Sequence, residues 1–196
     1  MFSCDLTSGR GKVVCKSMAG IRRVYFTTDD IGDPEYNDGV TQPAFPTDSI
    51  KCFDGTAEWF VYDLQSDGNS ADLGNWSSDP NNGTGFFTQT LNLNLLKLDP
   101  ATHKEFKLLC YGSPHVIVED NNGQFWLMGL INGMDTTGGT AVTGGAAGDM
   151  NGYTLTMVGK ERAPAPFITA ATIEDMGCSD STPPGAFTVS AEIITP

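Results

Sequence analysis

The chain has 196 residues and a formal net charge of −13, because 24 acidic side chains outnumber 11 basic ones. This length suits one domain with a sizeable core and not comfortably two. The acidic surplus disfavours nonspecific adhesion to nucleic acid, although a surface that lets DNA slide past would also carry it.

Five cysteines are widely scattered and lack the paired CxxC spacing of a zinc site: Cys4, Cys15, Cys52, Cys110 and Cys178. We expect reduced thiols, most of them buried. The first residues include an early acid, Asp5, and no apolar stretch typical of a secretory signal, and no apolar run is long enough to cross a bilayer. These features predict a protein that is made in a cytosol, stays soluble and has no membrane partner.

The first third of the chain alternates short strands with long polar segments. Residues 1–16 are mostly small and polar and predict an irregular arm. Ile21–Phe26 is typical of a short strand and contains Arg22-Arg23, the densest positive spot in the sequence. Residues 27–48 are rich in acidic residues and proline. A solvated loop is favoured there over a calcium site, since the segment lacks the alternating ligands and distal Glu of an EF-hand.

A second strand is predicted at Ala57–Leu64, which is rich in aromatic and β-branched residues. Ser, Asp, Asn and Gly dominate residues 65–85, which predict a second long loop. Long loops without structure of their own are uncommon in compact domains unless they bind or assemble something. The two loops therefore point to binding or assembly.

The clearest strand lies at Phe87–Leu95, where larger residues at odd positions alternate with Thr and Asn at even positions. This alternation predicts a half-buried strand. Asp99 then stands at the N-cap position of a helix, with Pro100 at the first helical position and Gly112 at its end. The sequence predicts one helix at about residues 99–111.

After this helix, β-branched residues 116–118 lead into Asp120-Asn121-Asn122-Gly123, whose Asn-Gly pair suits the positive φ angles of a tight hairpin. Residues 124–130 form the return arm. A glycine-rich loop is predicted at 132–151 and a strand at Tyr153–Val158. The loop does not match a phosphate-binding loop, because Asp149 follows its glycines where such a loop carries Lys and Ser or Thr.

The tail begins with Ala163-Pro164-Ala165-Pro166, which interrupts regular structure. Residues 167–172 and 186–194 have strand-like content and are separated by Gly177 and Pro183-Pro184. They predict an appended extended arm or hairpin, which could reach a neighbouring subunit by strand addition.

Motifs for catalysis are absent from the sequence. Neither His103 nor His115 sits in an HExxH zinc motif, and no Ser stands in a G-x-S-x-G turn. Cys110 and His115 could be imagined as nucleophile and base. A buried thiol and a surface imidazole are favoured instead, because catalytic Cys and His usually come from distant parts of a chain. The sequence predicts no enzyme, no cofactor and no metal site.

The order of these pieces resembles tailed-bacteriophage tail tube (major tail) proteins over about three quarters of the chain. The matching features are Cys15 with Met18-Ala19-Gly20-Ile21, Phe87-Thr88-Gln89-Thr90-Leu91, Lys107-Leu108-Leu109 in the helix, the run Ile117 to Trp126, and the run Gly148 to Glu161. The insert at 27–48 and the extension after Phe167 depart from the compact pattern of that family.

This resemblance implies a mainly β fold, an antiparallel β-sandwich or barrel with one flanking α-helix, long loops and an extended C-terminal arm. Residues 1–162 would form the tube-like β domain with its N-terminal arm, and 163–196 the extension. The implied function is a virion structural protein whose hexameric rings stack into a DNA conduit in the tail, alongside other tail, sheath or neck proteins. A neck or capsid-associated virion protein and a carbohydrate-binding β-sandwich, motivated by Trp59, Trp76 and Trp126, are the alternatives.

A conduit should present few cations to passing DNA, because each exposed Lys or Arg adds a phosphate contact that slows passage. We therefore expect an acidic lumen and no specific binding of DNA. The candidate lumen-facing carboxylates are Glu58, Asp63, Glu119 and Asp149. Arg22 and Arg23 are the candidates for contact with an acidic neighbour across the ring.

Overall fold

The computed structural model describes residues 16–36, 49–65, 67–178 and 186–190. Expectations for the N-terminal arm with Cys4 and Cys15, for residues 37–48 and for residues 191–196 lie outside this part. Within it, the chain is mainly β, with two sheets that curl into a half-barrel and sandwich and with one α-helix. The predicted fold class is confirmed.

The described elements follow the chain in one series. They are β1 (Ile21–Thr27), β2 (Pro34–Tyr36), β3 (Ile50–Phe53), β4 (Thr56–Asp63), β5 (Ser70–Asp79), β6 (Thr84–Leu96), α1 (Pro100–Tyr111), β7 (His115–Asp120), β8 (Phe125–Met128), β9 (Asp135–Val142), β10 (Gly152–Glu161), β11 (Phe167–Ile168), a 3-10 turn (Glu174–Met176) and β12 (Ala186–Ser190).

Eight strands form the larger sheet, in the order β12-β4-β1-β7-β8-β11-β3-β2, and four form the smaller sheet, in the order β5-β6-β10-β9. The smaller sheet is antiparallel throughout. The larger sheet is curled. Its strands β3 and β12 are far apart in the sheet order, yet the Phe53 ring on β3 lies 6.0 Å from the Phe187 ring on β12.

Apolar side chains cover both faces of the larger sheet. On β1, Tyr25 points into the inside of the curl, where Trp59, Phe53 and Phe187 pack. Val24 and Phe26 of the same strand point the other way, toward the smaller sheet. The burial of β1 on both sides follows from the two-residue period of a strand, and it makes this strand the common wall of two cores.

The strand and helix with the strongest local signals form as predicted. On β6, Gln89, Leu91, Leu93 and Leu95 are buried while the intervening residues are only half-buried. The Asp99 carboxylate accepts hydrogen bonds from the backbone N–H groups of residues 101 and 102 at 3.0 and 3.4 Å, as an N-cap should. Gly112 is the C-cap.

The hairpin of β7 and β8 is also confirmed. The Asp120 carboxylate accepts from the backbone N–H groups of Asn122 and Gln124, each at 2.8 Å, which closes the turn. Gly123 takes the left-handed conformation with φ of 76° that the Asn-Gly pair predicted.

Besides β2, which lies inside the predicted loop at 27–48, two more segments predicted to be loops contain strands. Most of residues 65–85 belong to β5 and its turn into β6, and β9 occupies the first half of the predicted glycine loop. Both are outer strands whose polar or glycine-rich composition carries no apolar alternation, so pairing with β6 and β10 decides their conformation. Gly139 on β9 is packed closely, because a Cβ there would lie 2.9 Å from the tip of the Phe106 ring of the helix, which would have to shift.

The described part of the tail is not an appended arm. Strand β11 lies between β8 and β3, and β12 pairs in parallel with β4, so both belong to the larger sheet. Ile173 and Met176 are buried in the core inside the curl. The proline-rich segment that suggested an appendage is only the crossing from the smaller sheet to the larger one.

The expectation of reduced, mostly buried thiols is wrong for the three described cysteines. Cys52 on β3 forms a disulfide with Cys178, with a Cα–Cα distance of 5.1 Å, and Cys110 is free but exposed on the helix. The helix instead buries Leu109 and partly buries Phe106. Scattered spacing conceals this disulfide, since its partners are 126 residues apart in sequence.

Candidate functional site

A row of alternating charges crosses three neighbouring strands at one end of the curled sheet. Arg23 on β1 lies opposite Asp63 of β4 on one side and Glu119 of β7 on the other. Its Nε donates to the Asp63 carboxylate at 2.7 Å, and its guanidinium lies 3.6 Å from the Glu119 carboxylate. The Asp63 hydrogen bond is the main reason that the pKa of Arg23 is raised, so this side chain stays charged.

Glu119 is the buried member of the row. Its side chain is only 7% exposed, and the cations that compensate it are Arg23 and, at 3.8 Å, Arg22. The hydroxyl of Tyr25 donates to it at 3.1 Å. An ionised carboxylate at this depth needs such partners, because burial without them costs several kcal/mol, on the order of 3–5.

Tyr25 is the second residue at this site whose pKa is altered. Its ring is 5% exposed. Burial, and next the negative charge of Glu119, raise the pKa of Tyr25 to about 12 from the model-compound value of 10. The phenol therefore remains a proton donor to Glu119 at any ordinary pH.

The row lines an open cleft of about 430 Å³ at the mouth of the curl. Apolar side chains that include Val61, Phe125, Ile173 and Val189 line it together with the charged row and Tyr25. Thr172, just before the 3-10 turn, and Glu174, the first residue of that turn, also line it. This volume lies within the range of small-molecule pockets, but the guanidinium is already engaged by two carboxylates of its own chain.

The raised pKa of Tyr25 predicts that the fold loses stability in alkali. In the unfolded chain a tyrosine ionises near pH 10, whereas folded Tyr25 does so at about 12. The stability that the neutral Tyr25 hydroxyl contributes is therefore complete below pH 10 and is lost as the pH rises through 12. From the roughly 1.4 kcal/mol per pKa unit, the loss is about 2–3 kcal/mol. Denaturant unfolding at about pH 9 and pH 12 measures it.

The matched variants are Tyr25→Phe, which removes the hydroxyl, and Tyr111→Phe, which alters an 83% exposed ring. The alkaline loss should shrink in the first variant and persist in the second. An equal loss in all three proteins would assign it to other groups.

The structure separates the four candidate lumen carboxylates. Asp63 and Glu119 belong to the charged row, and Glu119 is a correction, because a buried and compensated carboxylate cannot act as an exposed wall charge. Glu58 is exposed on β4 and accepts a hydrogen bond from the Ser190 hydroxyl of β12. Asp149 is exposed in the loop before β10, where the backbone N–H groups of Gly145 and Ala146 lower its pKa.

Arg22 and Arg23, the candidate inter-subunit cations, both have partners inside the chain. Arg23 is bound to Asp63, whereas Arg22 has a 59% exposed side chain and only a long contact with Glu119. Arg22 is therefore the freer of the two to meet an acidic neighbour.

The histidines and Cys110 do not come together as a catalytic pair. The His103 ring packs against Tyr153, and the Nδ1 of His115 lies 2.7 Å from the Gly129 carbonyl oxygen. Cys110 is exposed at the end of the helix. Both histidines thus have local structural contacts, and no hydrogen bond or ring contact among the described residues joins either of them to Cys110.

Acidic side chains in the segment after β1 accept backbone hydrogen bonds that hold this segment in place. The Asp29 carboxylate accepts from the backbone N–H of Glu58 at 2.9 Å, and that of Asp30 accepts from Gly32 at 2.9 Å. Asp54 accepts from the backbone of Asp33 at 2.6 Å. These bonds join the segment to β4 and to the turn between β3 and β4. The predicted solvated loop is wrong in part, because Pro34–Tyr36 forms β2 and Ile31 is buried in the core.

A second surface is the face of the smaller sheet turned away from the cores. Neutral polar side chains occupy it on the two central strands: Thr88, Thr90, Asn92, Asn94, Thr154 and Thr156. They bond to one another across strands, with Thr156 donating to Asn92 at 3.0 Å and Thr140 meeting Thr154 at 2.6 Å. These six positions are uncharged, and the same face also carries Lys160, the register partner of Thr88, and Asp72, the register partner of Thr90.

Sequence reasoning missed Tyr25, the cleft and the disulfide. Arg23 and Tyr25 are two residues apart on a predicted strand, which places them on one face, but nothing in the sequence indicates that Glu119 becomes the cross-strand neighbour of Arg23. The sequence did indicate that this predicted strand carries a charged and an aromatic residue on the same face.

Searches against protein-family models, curated proteins and solved structures gave no match for this chain. In the part of the chain that the structure describes, no helix is long and apolar enough to cross a membrane. Function must therefore be argued from the surfaces described above.

Proposed function

We propose that the chain is a non-enzymatic structural subunit of a virion tail tube, which assembles into hexameric rings that stack around DNA. The observation that carries this proposal is the smaller sheet, which has one face rich in Thr and Asn and two outer strands that, among the described residues, are paired on one side only. The sequence resemblance points to the same role. The protein would then reside in the tail of the virion.

The polar face suits the wall of a conduit. Asn92, Thr154 and Thr156 are already occupied by cross-strand hydrogen bonds and offer few free donors to phosphate, and Lys160 is the one cation on the described strands of the smaller sheet. Slow passage of DNA comes mainly from Lys and Arg contacts. If this face lines the lumen, weak DNA binding follows from its having a single cation.

The edges suit ring closure. Among the described strands, β5 and β9 are paired on one side only, and each has a bulge, so the uninterrupted stretches are 75–79 and 138–142. An exposed edge is a template for pairing with another chain. Joining β5 of one subunit to β9 of the next would close a continuous sheet around an axis, as a cyclic assembly requires.

Other surfaces would serve neighbours along the tail. Exposed apolar side chains on the helix, Leu108 and Tyr111, lie outside the smaller sheet's polar face and could meet the next ring or another tail, sheath or neck protein. Arg22 is the basic candidate for an acidic contact within the ring.

Electron microscopy and sedimentation of the purified protein at increasing concentration test the assembly. Rings or tubes with an open lumen are expected, and duplex DNA should bind only weakly at physiological salt. A chain that stays monomeric alone and with its tail partners would contradict the tube. Rings that bind DNA with submicromolar affinity would favour the neck or capsid role.

An edge variant gives a sharper prediction. Thr137 is the bulge residue of β9, without a register partner on β10, so a proline there should be tolerated by the fold. Thr137→Pro should nevertheless prevent rings, because the proline ring obstructs an approaching strand.

Thr137→Ala is the matched control and should assemble as the parent does. Thermal unfolding verifies that both variants remain folded. Rings formed by folded Thr137→Pro would show that the joining edge of β9 does not reach residue 137.

A carbohydrate-binding module is the second candidate, favoured by Trp76. Its indole is 55% exposed and lies against Phe87, with ring centroids 4.8 Å apart. The Trp59 that also motivated this function is fully buried and cannot form a sugar platform. Glycan binding that is lost in Trp76→Ala, in a protein that does not assemble, would support this candidate over the tube.

A further inference from the structure

Three sulfur and oxygen ligands converge beside the outermost strand of the larger sheet. Glu35 on β2 is the cross-strand partner of Cys52 on β3, and the disulfide brings Cys178 to the same place. One Glu35 carboxylate oxygen, Oε2, lies 3.4 Å from the Cys52 sulfur and 3.7 Å from the Cys178 sulfur. Among the described residues this is the one group of three metal-ligating side chains that meet this closely.

The surroundings hold these atoms in place. Both cysteines are 6% exposed, and the backbone N–H of Cys178 donates to the Phe53 carbonyl oxygen at 2.8 Å, which anchors the segment independently of the disulfide. Lys51 lies 3.4 Å from Oε1, the other oxygen of Glu35, so it leaves Oε2 directed at the sulfurs. Fixed ligands with a charged group orienting the carboxylate are typical of metal sites.

These distances match those around tetrahedral zinc. With Zn–S of about 2.3 Å and Zn–O of about 2.0 Å, ligand sulfur and oxygen atoms are about 3.5 Å apart. The sulfur–oxygen separations of 3.4 and 3.7 Å are already near that value. Only the two sulfurs must separate, to about 3.8 Å, which follows once the bond between them is broken.

We propose that reduction of the Cys52–Cys178 disulfide creates a site for one Zn²⁺, bound by both thiolates and the Glu35 carboxylate, with water in the fourth position. A dithiol reductant breaks the bond: its two thiols become a disulfide, and Cys52 and Cys178 each gain a proton and an electron. Zn²⁺ then displaces the two thiol protons into solvent. The same residues thus hold a covalent link in the oxidised chain and a metal link in the reduced chain.

The test uses a full-length background in which Cys4, Cys15 and Cys110 are replaced by serine, so that the only remaining thiols are the proposed ligands. After reduction and removal of the reductant without oxygen, Co²⁺ is added as an optical probe. A thiolate-to-cobalt absorption band that saturates at one equivalent is expected, and Zn²⁺ should abolish it. The oxidised background should show no band.

Three variants in this background assign the ligands. Cys52→Ser and Cys178→Ser should each lose most of the band, and Glu35→Gln should weaken cobalt affinity by at least about 10-fold. No band in the reduced background, or an unchanged one in any of the three variants, overturns the proposal.

Folding gives a second readout that does not depend on colour. If reduction alone loosens the chain, Zn²⁺ must restore the near-ultraviolet dichroism of the buried aromatic residues in the background and not in Cys52→Ser. Failure to restore it would overturn the site. Neither readout depends on ring assembly, so the proposed tube can fail while the metal site stands.

Discussion

Replacing both Cys52 and Cys178 with serine should lower the free energy of unfolding by about 4–5 kcal/mol in metal-free, oxidising buffer. The disulfide closes a loop of 126 residues, and the loss of chain entropy in the unfolded state increases with the logarithm of that length. The link also joins β3 to the segment that leads to β12, so its removal should weaken the closure of the curled sheet. Denaturant unfolding of the variant and the parent measures the difference.

Cys110→Ser is the matched control, because Cys110 is exposed and unpaired among the described cysteines. It should change stability by less than about 0.5 kcal/mol. A double variant as stable as this control would mean that the unfolded chain is already restrained without the link, or that the thiols are reduced in the parent.

The second large effect concerns the charged row. Arg23→Met should destabilise the fold by about 2–3 kcal/mol, because the buried Glu119 carboxylate then keeps only the 59% exposed Arg22 as a cation, besides the Tyr25 hydroxyl. This is below the value for fully buried pairs, since the Arg23 side chain is 36% exposed. Chemical unfolding at neutral pH measures it.

Adding Glu119→Leu to Arg23→Met should restore most of that stability, since the unpaired charge is then gone and an apolar side chain fills its place. Arg22→Met, which removes a 59% exposed cation, should cost less than about 1 kcal/mol. A double variant no better than Arg23→Met would show that Glu119 is stabilised by more than its cations. Recovery would mean that the row is not needed for folding, which leaves a role in contact with a partner or ligand.

The sequence predicted those parts of the fold that depend on interactions between residues close together in the chain. The alternation of β6, the Asp99 cap of the helix and the Asn-Gly turn between β7 and β8 each depend on residues within a few positions of one another. Their boundaries in the structure agree closely with the sequence. These elements would form in much the same way in many folds.

Elements that depend on distant partners could not be predicted in this way. Strand β5 is exposed and polar, and it is a strand because β6 offers it a register. Strand β9 contains adjacent glycines, which favour a loop by composition, and the helix packs closely against one of them, Gly139. Local composition is a weak guide wherever tertiary pairing supplies the decisive hydrogen bonds.

The candidate site depends on such distant pairing as well. Arg23, Asp63 and Glu119 come from three strands that are not consecutive in the chain, and only the strand order β4-β1-β7 aligns them. Side chains alternate between the two faces along a strand, so a shift of one residue in this register would move Glu119 from the inside of the curl to its outer face. This is why Glu119 could be named from the sequence while its burial could not.

The position of the disulfide also determines how the chain would respond to pulling. Tension applied to the two termini would pass from Cys52 directly to Cys178, so the residues between them, including the whole smaller sheet, would carry none of it. At about 3.4 Å per extended residue, some 400 Å of contour length would be withheld from extension. In a tube under axial load, tension could extend only the segments outside Cys52 and Cys178. A reducing agent would break the link and allow the residues between them to extend as well.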